Sequence, residues 1–503
     1  MTSSRLARLA LLALTALTSI ACVPAVPGGP PRQAHTETPA TFSAGGEASG
    51  QSSATVDWHA FFNDPHLVAL IETALANNQE LNITIQETLV ANNEVMARRG
   101  EYLPSLSAGV GAGLDRVGRF TSQGQADEAN SVAPNLQQYS LGLFASWEVD
   151  IWGRLRNNAT SANYRFLASI EGRNFVVTRL VAEIATKYYE LLALDRRLAI
   201  VRNSIALQQS ALEAVRLQQQ AARVTMLAVR RFEAQLQSFQ SKQFDLLQRI
   251  AETENELNFL CGRFSQHIAR SDADFLSIEP PAVRTGVPGQ LLENHPDVRR
   301  AELELRAAAL DVDAARARFY PALRLEAGVG FQSFDITRLL ATPDSIFYSI
   351  FAGVMAPLLN RNGITAEYFS ANSRQMQAVL RYERAILAAY LDVNTALNRL
   401  RNVTQAYALQ QQQVARLAEA VEISNLLFNS AHADYLEVLT TRRDSLEAQT
   451  DLIETKLRQL DAAITLYRAL GGGWRVPQRP TQQPPAPSQR TPPSRSTTQG
   501  AAR

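Results

Sequence analysis

The chain has 503 residues, with 49 Lys and Arg against 48 Asp and Glu, and a formal net charge of +1. A net charge this close to zero argues against nucleic acid as the main partner, because binding to phosphates requires concentrated positive charge. The two cysteines, Cys22 and Cys261, are too few for a disulfide framework. The length suits several domains or one elongated unit.

Residues 1–21 resemble a secretory signal. A start containing two arginines precedes a short apolar run from Leu9 to Ile20, which is too short to span a membrane comfortably. The run ends in Ser-Ile-Ala before Cys22, which is similar to a bacterial lipobox, where the cysteine is lipidated and becomes the first residue of the mature protein. We predict a covalent lipid on Cys22; the alternative is an ordinary cleaved signal with a chance cysteine. Val23 permits transfer to the outer membrane, because it is not the aspartate associated with inner-membrane retention.

Two segments have compositions typical of chains without a packed core. Residues 22–54 are rich in Pro, Gly, Ser, Ala and Thr, which indicates a lipidated tether. Residues 475–503 are rich in Pro, Gln, Arg and Ser, which indicates a disordered tail. The folded part is therefore predicted to lie between these segments.

The folded part contains a weak internal repeat, with a first copy at 55–270, a linker at 271–296 and a second copy at 297–474. The sequence Glu-Tyr-Leu-Pro-Ser-Leu around Pro104 has its counterpart in Arg-Phe-Tyr-Pro-Ala-Leu around Pro321. Each copy continues through two alternating stretches into a long helical region. Such ordered self-similarity predicts that one structural unit occurs twice.

The alternating stretches are predicted strands. From Leu106 to Leu114, Leu, Ala and Val occupy one face, and Gly and Ser occupy most of the other. The same period recurs at Tyr139–Ile151 and Leu323–Phe331 and, less regularly, at Ile346–Leu358. It favours membrane-barrel strands with an apolar face toward lipid and a polar face toward a water-filled lumen. The alternative is a pair of soluble hairpins packed on a core.

Four strands cannot close a membrane barrel alone. Open strand edges are not tolerated in hydrocarbon, and bacterial barrels begin at about eight strands. If these strands span a membrane, the barrel must be shared between several chains.

Two very long helical regions follow the strands. Arg173–Cys261 and Ile364–Leu470 contain neither Gly nor Pro and are rich in Ala, Leu, Gln, Glu and Arg. We predict a turn inside each, near Gln220–Thr225 and near Asn429–Asp434. A cytoplasmic coiled-coil rod is the alternative, which the export signal and the strands disfavour. The loops at 117–135 and 335–345 would then face outside the cell.

In combination, these features resemble the outer membrane factor family of tripartite efflux pumps, in its lipidated branch. The block from Asp57 to Leu67 is similar to the opening motif of that branch. Ser146–Arg156 resembles its signature at the end of the second strand, and Ala433–Leu439 resembles the segment past the second hairpin tip. The resemblance covers about residues 55–474.

The resemblance implies an α+β membrane protein: a homotrimer whose chains give four strands each to a shared 12-strand β-barrel, on a long periplasmic α-helical coiled-coil tunnel. It implies an outer-membrane location in contact with lipid, a periplasmic adaptor (membrane fusion) protein and an inner-membrane transporter as partners, and no nucleic acid. Drugs or metals would pass through without chemistry. We expect no catalytic residue, no metal site and no cofactor besides the lipid on Cys22.

The resemblance also implies a gate and two docking tips. In this family an acidic ring constricts the periplasmic mouth of the tunnel, and Glu437 corresponds to its principal acid, with Thr440 in place of the companion acid. Three Glu437 side chains near one axis would repel each other and attract cations; the alternative is a solvated surface glutamate. The family's tip glycines correspond to alanines here, so the tip geometry could differ. The expected adaptor contacts are Ala221, Ala222, Arg223, Ser430, Ala431 and His432.

Two other functions remain open from the sequence. A protein-secretion duct would share the architecture, and a periplasmic coiled-coil scaffold or adhesin would share only the helices. Lipidation and the opening motif favour efflux of small molecules. No enzyme motif is present in the sequence, and the six histidines do not pair at metal-ligand spacing.

Overall fold

The structure is a computed structural model that describes residues 23–26, 29, 32–43, 52–271, 273–430, 432 and 434–475. The lipidation site predicted at Cys22 and the tip residue Ala431 lie outside the described residues, as do the predicted signal and almost all of the predicted tail.

Long helices and four strands make up most of the described chain. The helices are α1 (Trp58–Phe61), α2 (Pro65–Asn77), α3 (Gln79–Glu101), α4 (Ser122–Ala129), α5 (Arg154–Gln220), α6 (Met226–Leu260), α7 (Gln290–Asn294), α8 (Pro296–Ala317), α9 (Asn362–Asn429) and α10 (Tyr435–Ala469). The strands are β1 (Ser105–Asp115), β2 (Leu136–Val149), β3 (Ala322–Ser333) and β4 (Ile346–Met355). Short 3₁₀ helices lie at Ser53–Thr55, Phe275–Ser277 and Ile336–Arg338.

The four strands form one antiparallel sheet in the order β1-β2-β3-β4. Its register aligns Val110 with Leu141, Leu141 with Phe331 and Phe331 with Ile346, so the apolar sides of all four strands share one face. The predicted strands and their two faces are confirmed. The fourth strand ends at Met355, before the predicted Leu358, because proline at 357 has no N–H to donate to a strand ladder.

The loops between strands hold short helices that the sequence did not indicate. The loop after β1 contains α4, whose start is capped by the Thr121 hydroxyl, which accepts a hydrogen bond from the Gly124 N–H at 3.1 Å. The loop after β3 contains the 3₁₀ helix Ile336–Arg338.

Each strand is joined in sequence to one helix of a layer that continues the sheet. Helix α3 precedes β1, α5 follows β2, α8 precedes β3 and α9 follows β4. In the layer α3 packs on α5, α5 on α8 and α8 on α9, which is the order of the strands. Sheet and layer therefore form one continuous wall.

Two helical hairpins extend from this wall. Helices α5 and α9 have 67 and 68 residues, or on the order of 100 Å each at 1.5 Å per residue. The partner helices α6 and α10 have 35 residues each and pack on α5 and α9, respectively. The turns predicted near Gln220–Thr225 and Asn429–Asp434 are confirmed.

The main hydrophobic core lies between the two copies of the repeat, away from the sheet. Trp58, Tyr188 and Tyr467 are fully buried in it. Both tyrosine hydroxyls are partnered: the Tyr188 hydroxyl lies 2.8 Å from Asp64 Oδ2, and the Tyr467 hydroxyl donates to the Val56 carbonyl at 2.7 Å. Cys261 is a free, buried thiol at the end of α6, as the sequence predicts.

The N-terminal segment is more ordered than its composition predicts. Residues 32–43 lie along α9: Arg32 pairs with Glu383 at 2.7 Å, the Phe42 and Tyr390 rings stack at 5.7 Å, and Ser43 bonds to a side chain of α9. Part of the predicted tether is thus packed against the helical layer. Sequence composition missed these contacts because they depend on α9.

Within the described ranges, no helix combines enough length and apolar character to cross a bilayer. No group of three or more His, Cys, Asp or Glu in that part of the chain has the geometry of a metal site.

Candidate functional site

The polar face of the sheet carries charged side chains next to the helical layer. Glu148 of β2 pairs with Arg154 at the start of α5 at 2.7 Å and lies 3.6 Å from Arg324 of β3. The cluster joins the last polar row of the sheet to the first turn of a layer helix.

The same side of the wall is hollow along the helical layer. Two adjoining cavities of about 510 and 650 Å³ are lined by residues from all four helices, α3, α5, α8 and α9. Because the outer helices of the layer, α3 and α9, both reach these cavities, the hollow lies on the concave side of the layer. Arg154 lines the cavity of about 510 Å³, which we call the upper cavity because it lies nearer the sheet; the other is the lower cavity. Arg154 also bonds to Glu148, so the concave groove and the polar sheet face lie on one side of the wall.

Alanines and charged residues line this groove. Ala162 and Ala315 keep its floor open, and Arg165 pairs across it with Asp311, which also accepts from the Ser161 hydroxyl at 2.6 Å. Polar walls around an open channel are what water-filled passages require.

The opposite face of the sheet exposes large apolar side chains. Val110, Tyr348 and Ile350 are each more than 80% exposed. An apolar surface of this extent is not stable in water and is typical of a face that contacts lipid.

Both edges of the wall are open. Strands β1 and β4 pair on one side only, and the helices next to them, α3 and α9, carry exposed apolar side chains. On α9, Leu380, Leu387 and Leu391 repeat at spacings of 7 and 4, which places them on one stripe. Sequence analysis missed this seam, although its spacing is visible in the sequence, because many interior leucines have the same spacing.

The first hairpin tip closes through a left-handed residue. Ala222 has φ +56°, and the Arg223 N–H donates to the Gln218 carbonyl at 2.8 Å. This is the conformation that glycine adopts most easily at a helix end. The tip therefore keeps the turn that a glycine would make, and alanine holds it under strain.

The second tip repeats the same hydrogen bonds. The His432 N–H donates to the Leu427 carbonyl at 2.8 Å, and the Ser430 N–H to the Leu426 carbonyl at 3.1 Å. The corresponding bond in the first tip runs from the Ala221 N–H to the Leu217 carbonyl at 3.1 Å. Ser430 and His432 are exposed, as are Ala221 to Arg223, so both predicted docking tips are accessible in this chain.

The two tips differ in the side chains that join their helices. In the first hairpin, Glu233 accepts hydrogen bonds from Arg216 and Arg230, both at 2.8 Å, and these arginines hold the pKa of Glu233 below its usual range. At the equivalent place in the second hairpin, Arg442 donates to Asn425 Oδ1 at 2.7 Å. Burial lowers the pKa of Arg442. Within the described chain no carboxylate pairs with Arg442 to offset this shift.

The predicted gate residues lie in the first two turns of α10. Glu437 is exposed, and within the described ranges its carboxylate forms no ion pair. Thr440 is uncharged, and its hydroxyl donates to the Leu436 carbonyl of its own helix at 2.9 Å. The equivalent position in the first repeat, Ala228, is fully buried. Of these three positions, Glu437 alone carries a carboxylate.

Replacing Ala222 by glycine is expected to stabilise the first tip by about 0.5–1 kcal/mol, because glycine adopts positive φ without the Cβ penalty. Slower hydrogen exchange of the Ala222 and Arg223 amides would show this. Ala221→Gly is the matched control, because Ala221 has φ −82° and glycine there only adds chain entropy. Equal protection in both variants would contradict the strain at Ala222.

The geometry of this wall recurs in proteins of known sequence and structure. The family model described as outer membrane efflux protein matches residues 70–263 and 287–472, one segment for each copy of the repeat. The chain belongs to this family. The matched segments together cover most of the chain and include β1 to β4 and both hairpins.

Relatives cover almost the same length. The pyoverdine export outer membrane protein OpmQ of Pseudomonas aeruginosa is 31% identical over 430 residues, which is 85% of this chain and 90% of OpmQ. The cation efflux system protein CusC of Escherichia coli is 27% identical, over 83% of this chain and 88% of CusC. The open-state structure of the Neisseria gonorrhoeae MtrE outer membrane channel superposes with a TM-score of 0.78 at 25% identity, over 90% of this chain and 99% of that one.

These findings confirm the predicted family, fold class and location. The protein is an α+β protein of the outer membrane, whose strands contribute to a shared barrel and whose helices contribute to a periplasmic tunnel. It is an outer-membrane channel component of an efflux system, which decides against the scaffold and protein-secretion alternatives.

Proposed function

We propose that three copies close head to tail into one duct, with β4 of each chain pairing with β1 of the next. The observation that carries this proposal is the pair of open edges on a wall that is apolar on one side and polar on the other. Three chains give 12 strands, and closure removes the edges that a bilayer does not tolerate. The leucine stripe of α9 would pack on the exposed Ile83 and Val90 of the next α3.

Small molecules pass along the concave groove and out through the polar side of the barrel, without chemical change. The groove is continuous from the lower cavity through Arg165 and Arg154 to Glu148 on the sheet, which supports this path. The relatives OpmQ and CusC are named for pyoverdine export and cation efflux, respectively, so the family accommodates cargo of different chemistry. Drugs or metals remain the proposed substrate class.

A periplasmic adaptor and an inner-membrane transporter complete the proposed system. Both tips are exposed and lie at the ends of helices about 100 Å long, so they are the part of the chain farthest from the sheet. We assign adaptor contact to Ala221, Ala222 and Arg223 and to Ser430, Ala431 and His432. Lipid on Cys22 is the proposed anchor.

The proposal is tested by single-channel conductance of the purified protein in a planar bilayer, together with chemical cross-linking to count subunits. A cross-linked trimer with a small, mostly closed, cation-selective conductance is expected. A protein that forms no pore, or that inserts only as a monomer, would contradict the duct.

Glu437 is the proposed gate. Replacing it by alanine should raise the mean current, because the shorter side chain widens the constriction. It should also reduce the preference for cations, because three carboxylates near one axis attract cations and exclude anions. Glu437→Asp keeps the charge and is expected to keep the selectivity. Reversal potentials in a salt gradient measure the effect, and wild-type selectivity and conductance in Glu437→Ala would refute the gate.

A further inference from the structure

Three phenylalanines interrupt the polar face of the sheet. Phe144 of β2 and Phe347 and Phe351 of β4 alternate with Ser, Gly, Glu and Arg positions and point to the side of Glu148. They are the aromatic residues of this face in all four strands, whose residues are fully described. Phe144 is 41% exposed and Phe351 is 63% exposed. A group of exposed aromatic rings surrounded by polar residues is typical of a surface that binds a ligand.

The rings lie on a floor of glycines. A Cβ on Gly109 or on Gly328 would lie 3.3 Å from the Phe144 ring, so that ring rests on two neighbouring strands. A Cβ on Gly142 would lie 3.2 Å from the Phe347 ring and 3.4 Å from the Phe144 ring. The two rings thus approach each other above Gly142, with centroids 6.2 Å apart and planes tilted by 33°.

This arrangement leaves one side of each ring open. The underside of Phe144 contacts backbone, and its exposed part faces the same space as the concave groove. Because the floor consists of glycines, no side chains stand between the two rings, and the rings border a shallow recess. Gly142 lies near the middle of β2, so the recess is at mid-height in the sheet.

We propose that Phe144 and Phe347 form a stacking site for planar aromatic groups of the cargo on its way out. Two tilted rings at this separation present both an edge and a face, the geometries in which aromatic pairs attract each other. A site of two rings binds weakly, which a duct requires, because a substrate that binds tightly would not leave. The surrounding serines and charged residues disfavour saturated apolar groups, so this site would favour aromatic over aliphatic cargo. The inference rests on the proposed duct, in which this face lines the lumen.

The experiment compares two probes of nearly equal size in planar bilayers: 2-naphthol and its saturated analogue decahydro-2-naphthol. Wild-type channels should show longer current blocks with 2-naphthol. In the double variant Phe144→Leu/Phe347→Leu, which keeps apolar volume over the glycines, the 2-naphthol blocks should become about threefold to tenfold shorter. The blocks by the saturated probe should change little.

Phe331→Leu is the matched control, because Phe331 lies on the apolar face of the same sheet, paired with Leu141 and Ile346. Its blocks should equal those of wild type. A conducting double variant that still holds 2-naphthol as long as wild type would overturn the stacking site and leave the rings as a cover for the glycines. Wild-type protein that conducts nothing would overturn the proposed duct, and this inference with it.

Discussion

Gly330→Val is expected to prevent assembly of the barrel. A Cβ at Gly330 would overlap the Leu141 carbonyl oxygen and lie 2.5 Å from Gly142 Cα, and both atoms belong to the backbone of the adjacent strand. No side chain can move aside to relieve this overlap, so β2 and β3 must separate. The loss should be more than about 3 kcal/mol, at the upper end of single substitutions.

The result is measured as loss of the heat-resistant oligomer on a denaturing gel and as protease sensitivity of the strands. Gly113→Val is the control, because a Cβ there would meet its nearest neighbour, Gln138, at 4.0 Å, which is ordinary contact. Equal assembly of both variants would mean that the β2–β3 register is not the one described.

Glutamates in place of Leu387 and Leu391 are expected to leave the chain monomeric. These leucines are 62% and 59% exposed in the single chain, and closing the duct would bury them against α3 of the next copy. Each substitution removes about 1.5–3 kcal/mol of free energy that burial of the leucine would contribute to assembly. Each added carboxylate must also be desolvated at the contact. The effect recurs at every contact in the ring, so assembly should fail while the helices themselves remain.

Cross-linking and light scattering in detergent report the oligomeric state, and circular dichroism reports whether the helices are intact. Leu387→Met/Leu391→Met is the matched control, because it conserves apolar volume and should assemble. Trimers formed by the glutamate variant would place the contact between copies elsewhere on the chain.

The sequence predicts the strands and hairpins of this protein because each depends on local pattern. Period-two alternation determines β1 to β3, since a slip of one residue would exchange their lipid and lumen faces. The tip at Asn429–Asp434 is visible in the sequence because small and polar residues interrupt the apolar seam, and the tip at Gln220–Thr225 gives a weaker signal of the same kind. The weaker alternation of the fourth strand has a structural reason: Phe347 and Phe351 occupy its polar face.

Features that depend on distant contacts could not be predicted. The segment at 32–43 has the composition of a linker, and its order comes from Glu383 and Tyr390, which lie more than 300 residues later. The alanine-floored groove exists because α3, α5, α8 and α9 lie side by side, and no single helix sequence indicates it. Glu437 and Thr440 were assigned from family motif position, and their roles remain predictions.

The duplication within the chain has a consequence for how partners bind. A ring of three chains presents six hairpin ends, alternating between one joined by the Arg216–Glu233 ion pair and one joined by Arg442 and Asn425. Because the backbone turns are alike, the six hairpin ends are related by approximate sixfold symmetry in their backbone. Their side-chain charges repeat with threefold symmetry only. A partner that recognises the turn alone would bind six to a ring, whereas one that senses the charge would bind three.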